Sequence, residues 1–181
     1  ITEAMIAGQM TDQEKLAFAL ELVPNLAEMS SAQDIYMAMA RETVRLTGDL
    51  SPILSLTARI KGQAYSLRNF PMFAPLFNVK YLPMRTTYQC CRQVGKTETL
   101  SSSLCVKGAM CDNYNALVVA PRHEQALRIS GAKTKPFLKE SLDSPFPHFY
   151  IKNEREVTAR EIKFGNGNAI YFIGCYQSPD P

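Results

Sequence analysis

Imidazole is scarce in this sequence: His123 and His148 are its only histidines. Its five cysteines, Cys90, Cys91, Cys105, Cys111 and Cys175, contain no Cys-x-x-Cys pair. That spacing, with so little imidazole, argues against zinc. An odd count without a framework points to free thiols in a reducing cytosol. Long apolar runs are missing too. None approaches the ~18 residues of a membrane span, and no signal peptide is visible. Charge of one sign is not in excess: the net charge is +3, which permits contact with nucleic acid without arguing for it. No apolar run ends in Asp-Glu, and no group of carboxylates suggests a two-metal nuclease. What remains is a chain of 181 residues with the apolar and charged fractions of a globular protein, enough for one domain or one with a small appendage. It begins at Ile1 rather than methionine, so the expectation is that the true start is missing.

The most informative stretch is Cys90-Cys91-Arg92-Gln93-Val94-Gly95-Lys96-Thr97. It ends as a phosphate-binding loop, the Walker A motif, ends. A glycine before the lysine lets the backbone curl close to phosphate oxygens. The lysine offers an ammonium to the β- and γ-phosphates, and the threonine a hydroxyl to Mg²⁺. The spacing predicts a strand over Thr86-Thr87-Tyr88-Gln89-Cys90 and a helix from Thr97 to Met110, where Leu100 and Leu104 lie one turn apart. That helix would aim its positive end at the phosphates. Cys90 stands where the usual pattern opens with glycine. Gly-Lys-Thr also occurs by chance, and a plain loop with an exposed lysine is the competing reading. Cys90 and Cys91 flank the loop, where they are either thiols whose modification blocks nucleotide or small space-fillers.

The residues before the loop read as helical. Thr11-Asp-Gln-Glu14 is a capping box for a helix reaching Val23, and Pro24 ends it. Ser31 with Asp34 is a second start, Ile35, Met39 and Leu46 fit one face, and Gly48 is the stop. Met29, Met37 and Met39 read as core or interface filler. Ser51-Pro52 opens a third helix with an Ile53, Leu56 and Ile60 stripe, closed by Gly62. The helices are open to two readings, a cover for the sheet or a cap for a partner. Phe70, Phe73 and Phe77 read as core.

Beyond the loop, Asp112-Asn113-Tyr114-Asn115 is a turn and Ala116 to Ala120 a buried parallel strand. Pro121 breaks it, and a short helix runs from Arg122 to Ile129. Arg122, His123, Arg128, Lys133, Lys135 and Lys139 are either a DNA-phosphate patch or a solvated face, diluted by Glu124 and Glu140. Ser144-Pro-Phe-Pro147 is a loop. Val157 to Phe164 and Ala169 to Ile173 read as a hairpin about Gly165-Asn-Gly-Asn168, with Arg160, Ile162 and Phe164 on one face and the second strand covered on both sides. Strands alternating with helices, one of them carrying a phosphate loop, predict an α/β fold with a RecA-like P-loop core of parallel-rich sheet and flanking helices. The expected division is a helical segment at 1–62 and the first part of an ATPase domain at 63–181.

The core Arg-Gln-x-Gly-Lys-Thr with a small non-glycine opener resembles the large terminase subunit of tailed bacteriophages, a DNA-packaging motor. Met72 to Phe77, Tyr81-Leu-Pro-Met-Arg85, Ala116 to Ala126 and Ala169 to Gln177 resemble that family's segments in the same order, so the likeness covers about residues 65 to 181. The resemblance implies an ATPase that drives double-stranded DNA into a procapsid. It implies ATP and Mg²⁺ as cofactors, with Cys90, Cys91, Arg92, Gln93, Val94, Gly95, Lys96 and Thr97 around the phosphates. Lys96 and Arg92 would be catalytic and Thr97 the Mg²⁺ ligand. Arg92 would either stabilise the γ-phosphate charge or pair with a carboxylate to hold the loop. Part of Tyr65 to Phe77 would pack on adenine, with Gln63 on the base. Implied partners are a portal protein, a small terminase subunit and further copies in a ring, with no membrane. The implied location is the cytoplasm of the infected bacterial host, outside the mature virion. The family's Walker B carboxylates and endonuclease domain are expected beyond Pro181, which leaves this stretch alone inactive. Two other classes stay open: a helicase-like RecA-type ATPase, and a non-catalytic interaction module with a silent loop.

Overall fold

A computed structural model describes residues 31–67, 71–80, 87, 89, 91, 95–146, 148–151 and 157–176. The chain divides into two compact units, Ile1–Gly48 and Asp49–Pro181. The expected boundary between 62 and 63 lies inside a β-hairpin of the second unit. The helix expected from Thr11 to Val23 is outside the described residues, as are Met29 and Phe70.

In the first unit, helix α1 (Ala32–Thr47) starts and stops where its sequence dictates. The Ser31 hydroxyl accepts the Asp34 amide at 3.1 Å and donates to the Asp34 carboxylate at 2.7 Å. Gly48 closes the helix at φ 78°, its amide donating to Val44. This left-handed conformation strains residues that carry a Cβ. The apolar face is displaced from the one expected. Met37 and Ala40 are its buried residues, whereas Leu46 is 46% exposed.

The second unit opens with helix α2 (Ser51–Thr57), shorter than its periodicity suggests. Ser51 is its first residue rather than its cap. The Asp49 carboxylate accepts both the amide and the hydroxyl of Ser51. The helix ends at Thr57, and Ile60 belongs to strand β1 (Arg59–Ile60), paired with β2 (Gln63–Ala64). Lys61 and Gly62 both take positive φ, the geometry of a two-residue hairpin turn, so Gly62 bends a ribbon and does not end a helix. A 3₁₀ helix at Pro71–Phe77 follows and buries Phe73 and Phe77 as expected.

Helix α3 (Lys96–Met110) is the spine of this unit. It is followed by β3 (Ala116–Arg122), α4 (His123–Ile129), a π turn (Ser130–Thr134), α5 (Lys135–Glu140), β4 (Glu161–Lys163) and β5 (Ala169–Tyr176). The sheet order is β3-β5-β4, with β3 parallel and β4 antiparallel to β5. The strand expected from Val157 shrinks to β4, preceded by a single bridge between Val157 and Ile162. Pro121 does not break β3, which continues to Arg122; among the described residues β3 is an edge strand, where a missing N–H costs no ladder bond.

Neither β3 nor β5 is covered on both faces. Val118, Ala120, Ile170 and Phe172 are buried, whereas Leu117, Val119, Tyr171 and Ile173 are 42–57% exposed. The register pairs Leu117 with Tyr171 and Val119 with Ile173. Successive side chains along a strand alternate between the two sides, so one apolar face is packed and its twin is bare among the described residues. The architecture is mixed α/β, with a small sheet containing one parallel pair.

Candidate functional site

The site is the start of α3. Gly95 takes φ 77° and ψ 8° immediately before the helix and supplies no side-chain cap. The helical ladder begins with the Thr99 amide donating to the Gly95 carbonyl at 2.9 Å. The amides that precede it in the first turn lie outside that ladder and face the helix end, where the macrodipole is positive. The exposed Lys96 side chain doubles back over the loop, and its Nζ donates to the Cys91 carbonyl at 3.1 Å. Thr97 is half-buried.

Two contacts fix this helix end. The Thr99 hydroxyl, fully buried, shares a hydrogen bond with the Tyr65 hydroxyl at 3.1 Å. Tyr65 directly follows β2, so the hairpin carrying the exposed Gln63 is tied to the first turn of α3. Glu98 receives Lys133 of the π turn, Nζ to Oε1 at 2.6 Å.

Of the residues expected to cradle phosphate, Cys91, Gly95, Lys96 and Thr97 are described and come together at this helix end. Cys90, Arg92, Gln93 and Val94 lie outside the described residues. The strand expected over Thr86 to Cys90 is not present at its two described positions. Thr87 and Gln89 are exposed and unpaired with any strand. Short β-branched runs form strands only when a neighbouring strand accepts them.

The basic residues differ in exposure and engagement. Arg122, Arg128 and Lys139 are exposed, Lys133 is engaged by Glu98, and Lys135 is half-buried. The His123 Nε2 is buried without a hydrogen-bond partner among the described residues. A cavity of about 770 Å³ lies along α5 between Lys135, Lys139, Asp143 and Ile151, and none of Cys91, Gly95, Lys96 and Thr97 lines it. No group of three or more His, Cys, Asp or Glu among the described residues is arranged to hold a metal. Thr97 is thus the one candidate Mg²⁺ ligand that the described residues retain from the sequence.

Two of the thiols are shielded by burial. Burial pushes Cys105 well above the ordinary thiol range. Burial also raises Cys111, against the opposing effect of Lys107. Cys91 and Cys175 are exposed.

Sequence reasoning missed the other end of α3. Asn168 Nδ2 donates to the carbonyls of Gly108 at 2.8 Å and Cys111 at 2.6 Å, and its Oδ1 accepts the Tyr114 amide at 3.0 Å. Asn166 adds a bond to Gly108 at 2.9 Å. The asparagines of Gly-Asn-Gly-Asn thus close the helix terminus as well as the hairpin. Turn composition alone carries no signal for a bond spanning some 60 residues of chain.

No protein family, curated protein or solved structure matches the chain.

Proposed function

We propose that the start of α3 is a phosphate-binding loop and that the chain belongs to an ATP-hydrolysing motor. The observation that carries this reading is the pairing of Gly95 with Lys96. The glycine is left-handed at the helix entry, and the lysine ammonium is curled over the preceding backbone at Cys91. An anion entering the helix end would meet backbone amides from below and the Lys96 ammonium from above. Lys96 would hold the β- and γ-phosphates, Thr97 would ligate Mg²⁺, and Cys90 to Gly95 would form the cradle. Bound Mg²⁺ would supply charge neutralisation at the phosphates. Gln63, on the hairpin that Tyr65 ties to Thr99, would meet the base. Arg92 would neutralise γ-phosphate charge.

Within that reading, the likeness of Arg-Gln-x-Gly-Lys-Thr to large terminase subunits favours a packaging motor with a RecA-like core. Its track would be double-stranded DNA, and its partners a portal protein, a small terminase subunit and further copies in a ring. It would work in the cytoplasm of the infected bacterial host. Endonuclease activity would belong to a separate domain. A second reading, a binding module with a silent loop, draws on Thr87 and Gln89, which lie outside any strand where a working loop needs one.

The test is ATP hydrolysis by the natural full-length protein, wild type against Lys96→Ala, with and without double-stranded DNA. We expect the substitution to abolish turnover, a loss of at least about 100-fold for removing a charge that stabilises the transition state. Stimulation by DNA would favour the motor over a generic ATPase. Hydrolysis unchanged by Lys96→Ala would overturn the reading.

A further inference from the structure

The first turn of α3 carries a problem of its own for a phosphate site. Glu98 sits two residues after Lys96, and a carboxylate in a first helical turn is drawn to the positive helix end. An arriving phosphate is drawn to the same end, so an uncompensated Glu98 would oppose it. Lys133 answers this charge at 2.6 Å, from an element more than 30 residues away in the chain.

The approach is built rather than incidental. The π turn that carries Lys133 is anchored against α3 by the Thr134 hydroxyl, which donates to the Ser101 hydroxyl at 3.2 Å. Thr134, Ser101 and Ser130 are all buried. A π turn widens the helix by one residue, and such turns recur where a helix must aim a side chain. Glu98 and Lys133 line a cleft of about 40 Å³ with Ile60, Pro136, Phe137 and Glu140. Glu140, the other carboxylate there, accepts the Lys61 amide. That contact holds the second carboxylate on the hairpin and leaves Lys133 for Glu98.

We propose that Lys133 is a positioning residue of the phosphate loop: by engaging Glu98 it neutralises the carboxylate beside the anion site and holds it away from bound polyphosphate. This rests on the reading of the loop as a nucleotide site. Both side chains are about two-fifths exposed, so the effect is moderate and sensitive to salt.

The experiment is equilibrium titration of the full-length protein with Mg-ATP, at low and high ionic strength, across Lys133→Ala, Glu98→Gln, the double variant and Lys133→Arg. Lys133→Ala is expected to weaken binding about three- to fivefold at low salt, with the gap closing as salt rises. Glu98→Gln in the same chain restores wild-type affinity, because the opposing charge is gone. Lys133→Arg keeps it. A loss in Lys133→Ala that Glu98→Gln does not rescue would reduce Lys133 to a packing role and overturn the proposal. So would wild-type affinity in Lys133→Ala. If the wild type binds no Mg-ATP, and Lys96→Ala behaves identically, the phosphate-loop reading itself fails and takes this one with it. That failure is distinct because it shows in the unsubstituted protein.

Discussion

Asn168 illustrates how one side chain can serve two elements. Its amide group donates twice to the last carbonyls of α3 and accepts from Tyr114, and it is 4% exposed. Helix-terminal carbonyls buried without donors are costly, and here the turn of the β4–β5 hairpin supplies them. Replacing Asn168 by alanine takes its bond from the Cys111 carbonyl and the Tyr114 amide, and leaves the Gly108 carbonyl with Asn166. We expect Asn168→Ala to lower unfolding stability by about 1–3 kcal/mol, read from a denaturant midpoint with unchanged slope. Gly95 answers to a different constraint. Its left-handed φ suits glycine at the helix entry. That residue was legible in the sequence because glycine before lysine has a stereochemical reason. Asn168 was legible only as a turn former, because its partners on α3 are set by the fold.

Helix α3 buries about half of its residues, yet it has no apolar stripe to announce the fact. Thr99, Ser101, Ser102, Ser103, Cys105, Val106, Lys107 and Gly108 are its buried residues, while Leu100 is 39% exposed. The hydroxyls find acceptors within the helix and beyond it: Ser102 donates to the Glu98 and Thr99 carbonyls, and Ser103 to that of Leu76 in the 3₁₀ helix. Small polar residues let neighbours approach closely, and Leu100 and Leu104 mark a helix without marking its core face. The closest approaches are at glycines. A Cβ on Gly108 would stand 2.3 Å from the Phe164 ring, and one on Gly174 of β5 would stand 2.2 Å from the His123 amide nitrogen. A ring can turn aside, but the corner between β3 and α4 is backbone and cannot. We expect Gly108→Ala to cost about 1–3 kcal/mol and Gly174→Ala to cost more, both as shifts in thermal midpoint. A larger loss at Gly108 would mean that Phe164 is the more rigid neighbour.

The second unit is held by buried hydroxyls as well as by apolar contact, and this sets its response to alkali. Tyr150 is buried, shares a hydrogen bond with Thr57 at 2.7 Å, and packs edge-on against Phe137 and Phe149. Burial pushes its hydroxyl well above the ordinary tyrosine range, a rise that the Thr57 bond partly offsets. Burial likewise pushes Tyr114 up to about 12, with smaller contributions from Cys111 and Cys105. A group whose acidity is raised on folding holds its proton longer in the native state. Its stability contribution is complete below the unfolded value near 10 and is lost as pH rises towards the folded value. The thermal midpoint is therefore expected to fall between pH 10 and about 12, and Tyr114→Phe to flatten part of that fall. At this same scale the bare face of Leu117, Val119, Tyr171 and Ile173 shows that the sheet is half-covered among the described residues. Continuous apolar runs at Ala116–Ala120 and Ala169–Ile173 suggested cover on both sides. Composition reports what a strand tolerates, and only packing decides what lies against it. By itself the sequence determined what depends on near neighbours: the cap and stop of α1, the entry of α3 at Gly95, the turn at Asp112–Asn115, and the β4–β5 hairpin. Each follows from backbone sterics or from hydrogen bonds a few residues long. Only the tertiary structure decided the end of α2 at Thr57, the passage of β3 through Pro121, the π turn, the grip of Asn168 on α3, and the placing of Lys133 on Glu98. These depend on side chains meeting across tens of residues, where burial and pairing outweigh any local preference.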